Sequence, residues 1–209
     1  MTGGYLNLYQ VNSLGAGVFP LALTVTDTLG ATNRATTTLT VYNNRPFAAF
    51  TRNPVVPGPG QPVAFYAGSS SHGRPDRLIV SYAWNFGDGT QGSGQSATHT
   101  YTNPGAYSVT LTVTDNNQPP KTDTVTNALT VLGPPQFDTS PVALQLTAAG
   151  LRLTLTNLSG SGNIIVFAST NLQSWTPVLT SPPTAGSLQW TDLAVTNWPA
   201  RYYRASESR

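Results

Sequence analysis

Apolar and polar residues alternate with a period of two along much of this chain. Val109, Leu111 and Val113 fall on one side of the longest such stretch, and the threonines between them fall on the other. Strict alternation of this kind indicates half-buried antiparallel strands. The same pattern occurs in three further segments: Val63, Phe65 and Ala67; Tyr82, Trp84 and Phe86; and Leu151, Leu153 and Leu155. No segment shows a convincing 3.6-residue period, so the pattern predicts strands throughout.

Turn residues interrupt the alternating segments at short intervals. They are Gly58-Pro59-Gly60, Gly68-Ser69-Ser70, Gly87-Asp88-Gly89 and Asn103-Pro104-Gly105. Several short strands separated by such turns are typical of a β-sandwich. The sequence therefore predicts an all-β fold made of tandem immunoglobulin-like antiparallel β-sandwiches.

An internal repeat relates the start of the chain to its middle. Gly17–Asp27 reads like Gly105–Asp115 at an offset of 88 residues, and Leu39–Val41 reads like Leu129–Val131 at an offset of 90. We expect the two-residue difference to lie in the turn between the paired strands, where length varies freely. The first copy lacks its front strands. Residues 1–43 are therefore predicted to be the C-terminal part of a repeat, either truncated or completed by another chain.

Two short proline-containing joints divide the chain. Asn43-Asn44-Arg45-Pro46 and Gly133-Pro134-Pro135 separate a partial repeat at 1–43, a complete sandwich at 44–132 and a C-terminal sandwich module at 133–209. Proline-rich joints are semi-rigid, so neighbouring modules are expected to sit at a restricted angle.

Linked motifs follow one another in residues 46–132. They are Trp84-Asn85-Phe86-Gly87-Asp88-Gly89, then His99-Thr100-Tyr101, then Tyr107 and the strand Val109–Asp115. In this order they resemble the motifs of a PKD (polycystic-kidney-disease) domain. The resemblance extends through the repeat to residues 1–43, and it implies a sandwich without catalytic activity.

Each residue of these motifs also has a structural reason. Trp84 and Phe86 are expected to fill the core. Gly87 and Gly89 permit positive φ in a tight turn around Asp88, whose carboxylate can accept backbone N–H bonds. Tyr101 or Tyr107 is expected to tie a loop to the backbone as a tyrosine corner. The motif residues are therefore predicted to be structural.

The last module carries a second resemblance. Ser169–Thr176, Thr191-Asp192 and Pro199–Arg204 resemble a C-terminal repeat of very large secreted bacterial proteins. The resemblance implies a β-sandwich near a chain end, without activity. Ile164–Phe167 is predicted to be a buried strand, and further core is expected from Leu188, Trp190 and the Tyr202-Tyr203 pair.

Composition excludes several classes of protein. Only 9% of the residues are charged, against a usual quarter. The arginines are scattered singly, so the dense basic stripe of a nucleic-acid-binding protein is missing. No run approaches the roughly 18 apolar residues of a membrane span, and the absence of cysteine excludes disulfides and thiolate metal sites.

The expected location is extracellular or on the cell surface. Met1-Thr2-Gly3-Gly4 shows neither the basic nor the apolar segment of a signal peptide. Because the first repeat starts midway, we interpret the chain as a fragment of a larger bacterial protein rather than a cytoplasmic one. Low-charge, Thr-rich β modules are common outside the cell.

The sequence offers few residues suited to catalysis, and the chain is predicted not to be an enzyme. Most of its acids lie in turns, and none forms a recognisable pair of the kind that a glycosidase uses. Two isolated histidines, His72 and His99, cannot supply the three or four ligands of a zinc site. We therefore expect no cofactor.

Calcium is the one metal for which the sequence offers a candidate ligand. Some PKD-like domains bind it through an acidic loop, and here that loop is Ser69–Asp76. His72 stands in place of the first acid and Arg74 adds a positive charge, so only Asp76 remains. Calcium takes six to eight oxygen ligands, and a plain loop is the favoured interpretation.

Polysaccharide binding would require exposed aromatic rings that stack on sugars. The candidates are Tyr66 in the middle module and Trp198 and Tyr202 in the last one. Core residues, or single aromatic residues on the surface, are the favoured interpretation.

Three functions remain open at this point. The first is a structural stalk, spacer or fibre subunit that assembles with neighbouring copies or modules, in one version by β-strand addition through residues 1–43. The second is an accessory polysaccharide- or protein-binding module of a secreted hydrolase. The third is adhesion to another cell, which composition does not separate from the first.

Overall fold

A computed structural model describes residues 15–208, and their regular structure consists of antiparallel β-strands and one short 3-10 turn. The all-β prediction is confirmed. Within this range no helix has the length and apolar character needed to cross a bilayer. The strands fall into a hairpin, a middle group and a last group. The predicted boundaries at 43–44 and 132–133 stay a prediction.

The hairpin consists of β1 (Gly17–Thr26) and β2 (Thr32–Val41). Gly17 lies opposite Val41 and Thr26 opposite Thr32. These pairs match those of the longest hairpin in the middle group, in which Gly105 lies opposite Val131 and Thr114 opposite Thr122. Since both hairpins have the same register, the two-residue difference lies in the turn, as the repeat predicted.

The middle group contains nine strands. They are β3 (Pro46–Phe47), β4 (Thr51–Asn53), β5 (Pro62–Tyr66), β6 (Ser71–His72), β7 (Ile79–Asn85), β8 (Gln91–Ser93), β9 (Ser96–Thr100), β10 (Gly105–Asp115) and β11 (Thr122–Val131). Strands β4, β5 and β9 form one sheet with β5 in the centre. Strands β11, β10, β7 and β8 form the opposing sheet in that order, and β3 pairs with β6.

The core of the middle group follows the predicted alternation. Val63, Phe65 and Ala67 are fully buried from one sheet, and their counterparts on β10 are buried from the other. Between these β10 positions lie outward threonines whose hydroxyls pair across the sheet, Thr110 with Thr126 and Thr112 with Thr124. The sheet therefore presents one apolar face and one uncharged polar face.

The last group contains seven strands. They are β12 (Gln136–Phe137), β13 (Gln145–Thr147), β14 (Gly150–Ser159), β15 (Ile164–Ser169), β16 (Thr176–Ser181), β17 (Ala185–Asp192) and β18 (Tyr202–Glu207), with the 3-10 turn Val195–Asn197 before β18. Strand β14 pairs with β12, β13 and β17, and β15 pairs with β16 and β18. The two sheets enclose a second core around Leu155, Leu158, Ile164 and Val166.

Two core predictions for this group need correction. Ile164 and Val166 are fully buried, but Ile165 and Phe167 are only half-buried because β15 alternates like its neighbours. Tyr203 packs against the core, whereas Tyr202 points outward and is 41% exposed. Adjacent residues of a strand face opposite sides of the sheet, so a run of apolar residues does not imply that all of them are buried.

Candidate functional site

The turn after β7 is built on two glycines. Gly87 and Gly89 have φ of +83° and +91°, a region that residues with a side chain rarely adopt. A Cβ on Gly87 would lie 2.7 Å from the backbone oxygen of Ser108, whereas a Cβ on Gly89 would meet nothing within 4 Å. Gly87 therefore serves both the turn and close packing against β10.

Asp88 sits at the tip of this turn and holds it together. Its Oδ1 accepts hydrogen bonds from the backbone N–H of Thr90 (3.0 Å) and from the Thr90 hydroxyl (2.6 Å), and its Oδ2 lies 2.6 Å from His99 Nε2. Burial raises the pKa of Asp88, but the bonds from Thr90 and His99 outweigh burial and lower the pKa to about 2. The carboxylate is thus committed to the ionised form.

The rings of the motif residues form a continuous column. Phe86 stacks on His99 at 4.3 Å between centroids, His99 meets Tyr101 edge-on at 4.6 Å, and Tyr101 lies 4.3 Å from Tyr107. The Tyr101 hydroxyl donates to the backbone oxygen of Phe86 (2.9 Å) and the Tyr107 hydroxyl to that of Asn103 (2.9 Å). Both tyrosines therefore tie loops to the backbone. Trp84, also buried, donates from Nε1 to the backbone oxygen of Gly94 at 2.8 Å.

A buried pair that the sequence did not predict joins His72 to Asp115. His72 Nδ1 accepts the backbone N–H of Arg74 (3.0 Å), so the ring proton lies on Nε2, which donates to Asp115 Oδ2 at 3.0 Å. Asp115 Oδ1 also accepts the backbone N–H groups of Asn117 and Lys121. Burial raises the pKa of Asp115, but the bonds from Lys121, Asn117 and His72 outweigh burial and hold it well below its usual range. His72 and Asp115 are 43 residues apart in the sequence, and no local motif connects them.

The calcium candidate, Asp76, is already engaged by an arginine. Arg74 binds its carboxylate through Nε (2.9 Å) and Nη2 (2.7 Å) at the surface. Within residues 15–208 no three acids, histidines or cysteines converge in the manner of a metal site. The oxygens of Asp76 therefore serve an ion pair, which a cation would have to displace.

The motif residues of the last module also hold its loops. Ser169 Oγ accepts the backbone N–H groups of Asn171 and Leu172. The Arg204 guanidinium lies between two rings, 4.6 Å from the centre of Trp175 and 5.0 Å from that of Phe167. Such cation–π contacts stabilise a fold without providing any reactive group.

Three further motif residues, Asp192, Arg201 and Tyr203, contact one another through their side chains. Asp192 accepts the Tyr203 hydroxyl at 2.7 Å and the backbone N–H of Ala194 at 2.9 Å, and it pairs with Arg201 Nε at 2.5 Å. Burial, followed by the bond to Asp192, raises the pKa of Tyr203 above its usual value. The Asp192, Arg201 and Tyr203 side chains therefore connect the end of β17 to the start of β18.

The three aromatic candidates for sugar binding are all exposed but are divided between two modules. Tyr66 is 47% exposed on β5 between Thr51 and Ser96. Trp198 is 49% exposed and lines a cleft of about 160 Å³ with Asn171 and Arg201. That volume is below the roughly 300 Å³ at which small-molecule pockets begin, so a ligand at Trp198 would stack on the surface.

The apolar face of the β1–β2 hairpin is open. Leu23 and Val25 are 65% and 56% exposed, whereas Leu111 and Val113, their counterparts in the second repeat, are fully buried. Among the described strands β1 pairs with β2 alone. Within residues 15–208 the apolar side chains of this hairpin face are therefore exposed, and the assignment of residues 1–43 to a partial repeat stays a prediction.

The two turn glycines provide a matched pair of variants. Gly89→Ala should lower the free energy of unfolding of the middle module by about 1–2 kcal/mol, since only positive φ opposes it. Gly87→Ala should cost a further ~1–3 kcal/mol because its Cβ overlaps the backbone of Ser108. Urea denaturation and calorimetry each measure the loss of unfolding free energy in the two variants. Equal losses would contradict the packing role of Gly87.

The depressed pKa values predict an acid-labile middle module. Asp88 and Asp115 bind protons more weakly when folded than when unfolded, where aspartate titrates near ~3.9. Their stabilising contribution is complete above roughly pH 5 and is lost as the pH falls toward the folded pKa of about 2 for Asp88. The unfolding midpoint should fall accordingly between pH 5 and 2, less steeply in Asp88→Asn. Asp138→Asn, in a turn of the last module, should leave that slope unchanged.

The middle of the chain is similar to a known domain family and to parts of larger proteins. A family model described as "PKD domain" matches residues 43–131. The chain is 36% identical over 95 residues to a microbial collagenase of Vibrio alginolyticus, a match that covers 46% of this chain and 11% of the relative. It is 52% identical over 42 residues to collagenase ColA of Clostridium perfringens, covering 20% of this chain and 4% of the relative.

Among solved structures, the chain is similar to the PKD1 domain of Vibrio anguillarum Epp. The two are 35% identical over 43% of this chain and 95% of that one, with a TM-score of 0.36. The matched part of this chain corresponds to a small fraction of the length of the curated relatives.

Proposed function

Residues 43–131 of this chain are a PKD domain, and from this premise we propose that the chain is a non-catalytic structural and interaction module of a secreted bacterial protein. In this proposal its tandem sandwiches act as a stalk, a spacer or a fibre subunit. The observation that carries the proposal is that the polar side chains best suited to catalysis hold loops and turns in place.

The hydrogen bonds of these side chains support a structural role. His72 uses both ring nitrogens within the fold, and its partner Asp115 accepts four hydrogen bonds. Asp88 binds Thr90 and His99, and Asp192 binds Tyr203 and Arg201. A general base must have an atom within reach of a substrate, and these groups direct their atoms at neighbours in the fold instead.

The joint before the middle module is held in a way that suits a spacer. The Lys121 ammonium donates to the backbone oxygen of Asn44 (2.8 Å), and the backbone N–H of Gly73 donates to the oxygen of Arg45 (3.1 Å). Gly73 packs so tightly that a Cβ there would overlap Asn43. A joint with these contacts resists bending, in keeping with the semi-rigid character of short proline-containing connections.

An extracellular location is part of the proposal. The chain matches small parts of proteins named as collagenases, and a module of this size in a large protein suits an accessory role. The outward threonines give an uncharged polar surface. We place the module outside the cell, beside other modules of the same protein.

Assembly through the hairpin is the more specific form of the proposal. Strand β1 has an unpaired edge among the described strands, and its apolar face is open. Unpaired edges readily accept another strand through main-chain hydrogen bonds. We therefore propose that residues 1–43 mediate contact with another polypeptide by β-strand addition.

Light scattering on the eluting chain, followed by negative-stain imaging, tests assembly directly. The full chain should form species larger than a monomer, and a chain lacking residues 1–43 should be monomeric. Leu23→Asp, which puts a charge on the apolar face, should also yield a monomer. Thr24→Asp, on the opposite face of the same strand, is the matched control and should not. A monomeric full chain would reject assembly and leave the spacer role.

A second candidate function is an accessory binding module of a secreted hydrolase. The exposed indole of Trp198 beside Asn171 and Arg201 favours it, since an aromatic face flanked by polar groups suits a sugar ring. In this version the module holds an enzyme close to an insoluble polymer such as a polysaccharide or collagen.

Sedimentation with insoluble chitin, cellulose and collagen tests this second function. Trp198→Ala should reduce the bound fraction at least about tenfold if one stacking contact contributes roughly 1.4 kcal/mol or more. Tyr66→Ala and Tyr202→Ala should have smaller effects, and Tyr42→Ala, a comparably exposed tyrosine after β2, serves as the control. Equal binding by all four variants, or none by the parent chain, would reject the candidate.

A further inference from the structure

The inward face of the hairpin of residues 17–41 matches that of β10 and β11, but within residues 15–208 no second sheet covers it. Leu23 and Val25 correspond to Leu111 and Val113, which are buried in a core that also contains Phe65 and Trp84. An isolated two-stranded hairpin is only marginally stable in water. The exposed Leu23 and Val25 side chains therefore mark an apolar surface that no described strand covers.

The free edge of β1 is the second correspondence. In the middle module the same edge of β10 pairs with β7, so that Leu111 lies opposite Trp84 and Val113 opposite Tyr82. Strand β1 has no such neighbour within residues 15–208. Among the described strands, the backbone groups of β1 that correspond to the β7-pairing groups of β10 therefore have no strand partner.

Asp27 is the third correspondence, and it concerns a polar contact. Its Oδ1 accepts the backbone N–H groups of Leu29 (2.8 Å) and Ala31 (2.9 Å). Asp115 Oδ1 accepts those of Asn117 and Lys121, at positions related by the offsets of 88 and 90. The other oxygen of Asp115 accepts His72, but no donor in the described part of the chain reaches Asp27 Oδ2.

From these three correspondences we propose that the hairpin docks onto the front half of a PKD-type sandwich. That front half would resemble residues 44–104 of this chain, with a Trp-x-Phe strand along the free edge of β1 and a donor directed at Asp27. The inference rests on the proposed interaction role of the module and names its partner. The partner is recognised by shape, main-chain pairing and one buried polar contact.

A second copy of the hairpin is a poorer occupant. Two hairpins packed face to face would cover Leu23 and Val25, but their edges would remain unpaired. The Oδ2 of Asp27 lies at the turn and would also remain without a donor. A front half of the stated kind satisfies all three features together, as residues 44–104 do for β10 and β11.

A chimeric chain tests this partner. A copy of residues 44–104 is joined directly to Gly17, so that the duplicated Pro104 precedes Gly17 as Pro104 precedes Gly105 in the native repeat. The rest of the chain follows unchanged. The native middle module in the same polypeptide is the internal control, because its folding shows that the chimeric protein was prepared in a native state.

Thiol labelling measures whether the hairpin is covered, since the chain has no cysteine of its own. Leu23→Cys should react readily in the native chain and at least roughly tenfold more slowly in the chimera, where only opening of the new sandwich exposes it. Thr24→Cys, on the outer face, should react at a similar rate in both. Unchanged labelling of Leu23→Cys in a chimera whose middle module is intact would overturn the proposal.

Calorimetry supplies an independent readout. The chimera should show one more cooperative transition than the native chain, and Leu23→Ala should lower its midpoint by about 10 °C or more while leaving the others unchanged. Asp27→Asn, which keeps an acceptor for the turn, should also lower that midpoint. Absence of the extra transition contradicts the proposed partner.

The two proposals can fail separately. Light scattering on the native chain tests whether residues 1–43 mediate assembly, and it does not depend on the chimera. A monomeric native chain with a covered hairpin in the chimera would reject assembly between copies and retain the partner. An oligomeric native chain with an uncovered hairpin in the chimera would do the reverse.

Discussion

The packing of Trp84 between two sheets is the contact on which the middle module depends. Its ring lies 5.1 Å from Phe50 and 5.7 Å from Phe65, and it is stacked with Phe86 at 6.5 Å. Phe86 in turn begins the column of rings that continues through His99 to Tyr107. One large side chain on β7 thus fixes the distance between the sheets and the position of the turn that follows it.

The turns around this core determine where polar side chains are needed. A sandwich with short strands has many turns, and each turn leaves backbone N–H groups that need acceptors. Asp88, Asp115, Ser169 and Asp192 meet this need, which accounts for the recurrence of Asp and Ser at strand ends and in turns. Side chains used in this way stabilise the fold, and their chemistry is directed inward.

Local features of the sequence predicted the strands well. Alternation on β10 identified the buried face, and the repeat offsets located the length difference between the two hairpins in their turn. The His72–Asp115 pair could not be predicted because it depends on how β6 and β10 meet in space. The position of Phe167 could not be predicted for a related reason. Its ring contacts the Arg204 guanidinium outside the core, and only the pairing of the strands brings these two residues together.

The single lysine of the chain has a consequence for surface chemistry. Lys121 is the only side-chain amine in the sequence, and it donates to the oxygen of Asn44 in the joint. An acylating reagent that reached this amine would remove its charge and weaken the contact that fastens the hairpin to the middle module. Coupling this amine to a sensor surface or a crosslinker would therefore alter the joint itself, whereas attachment through an introduced cysteine would leave it intact.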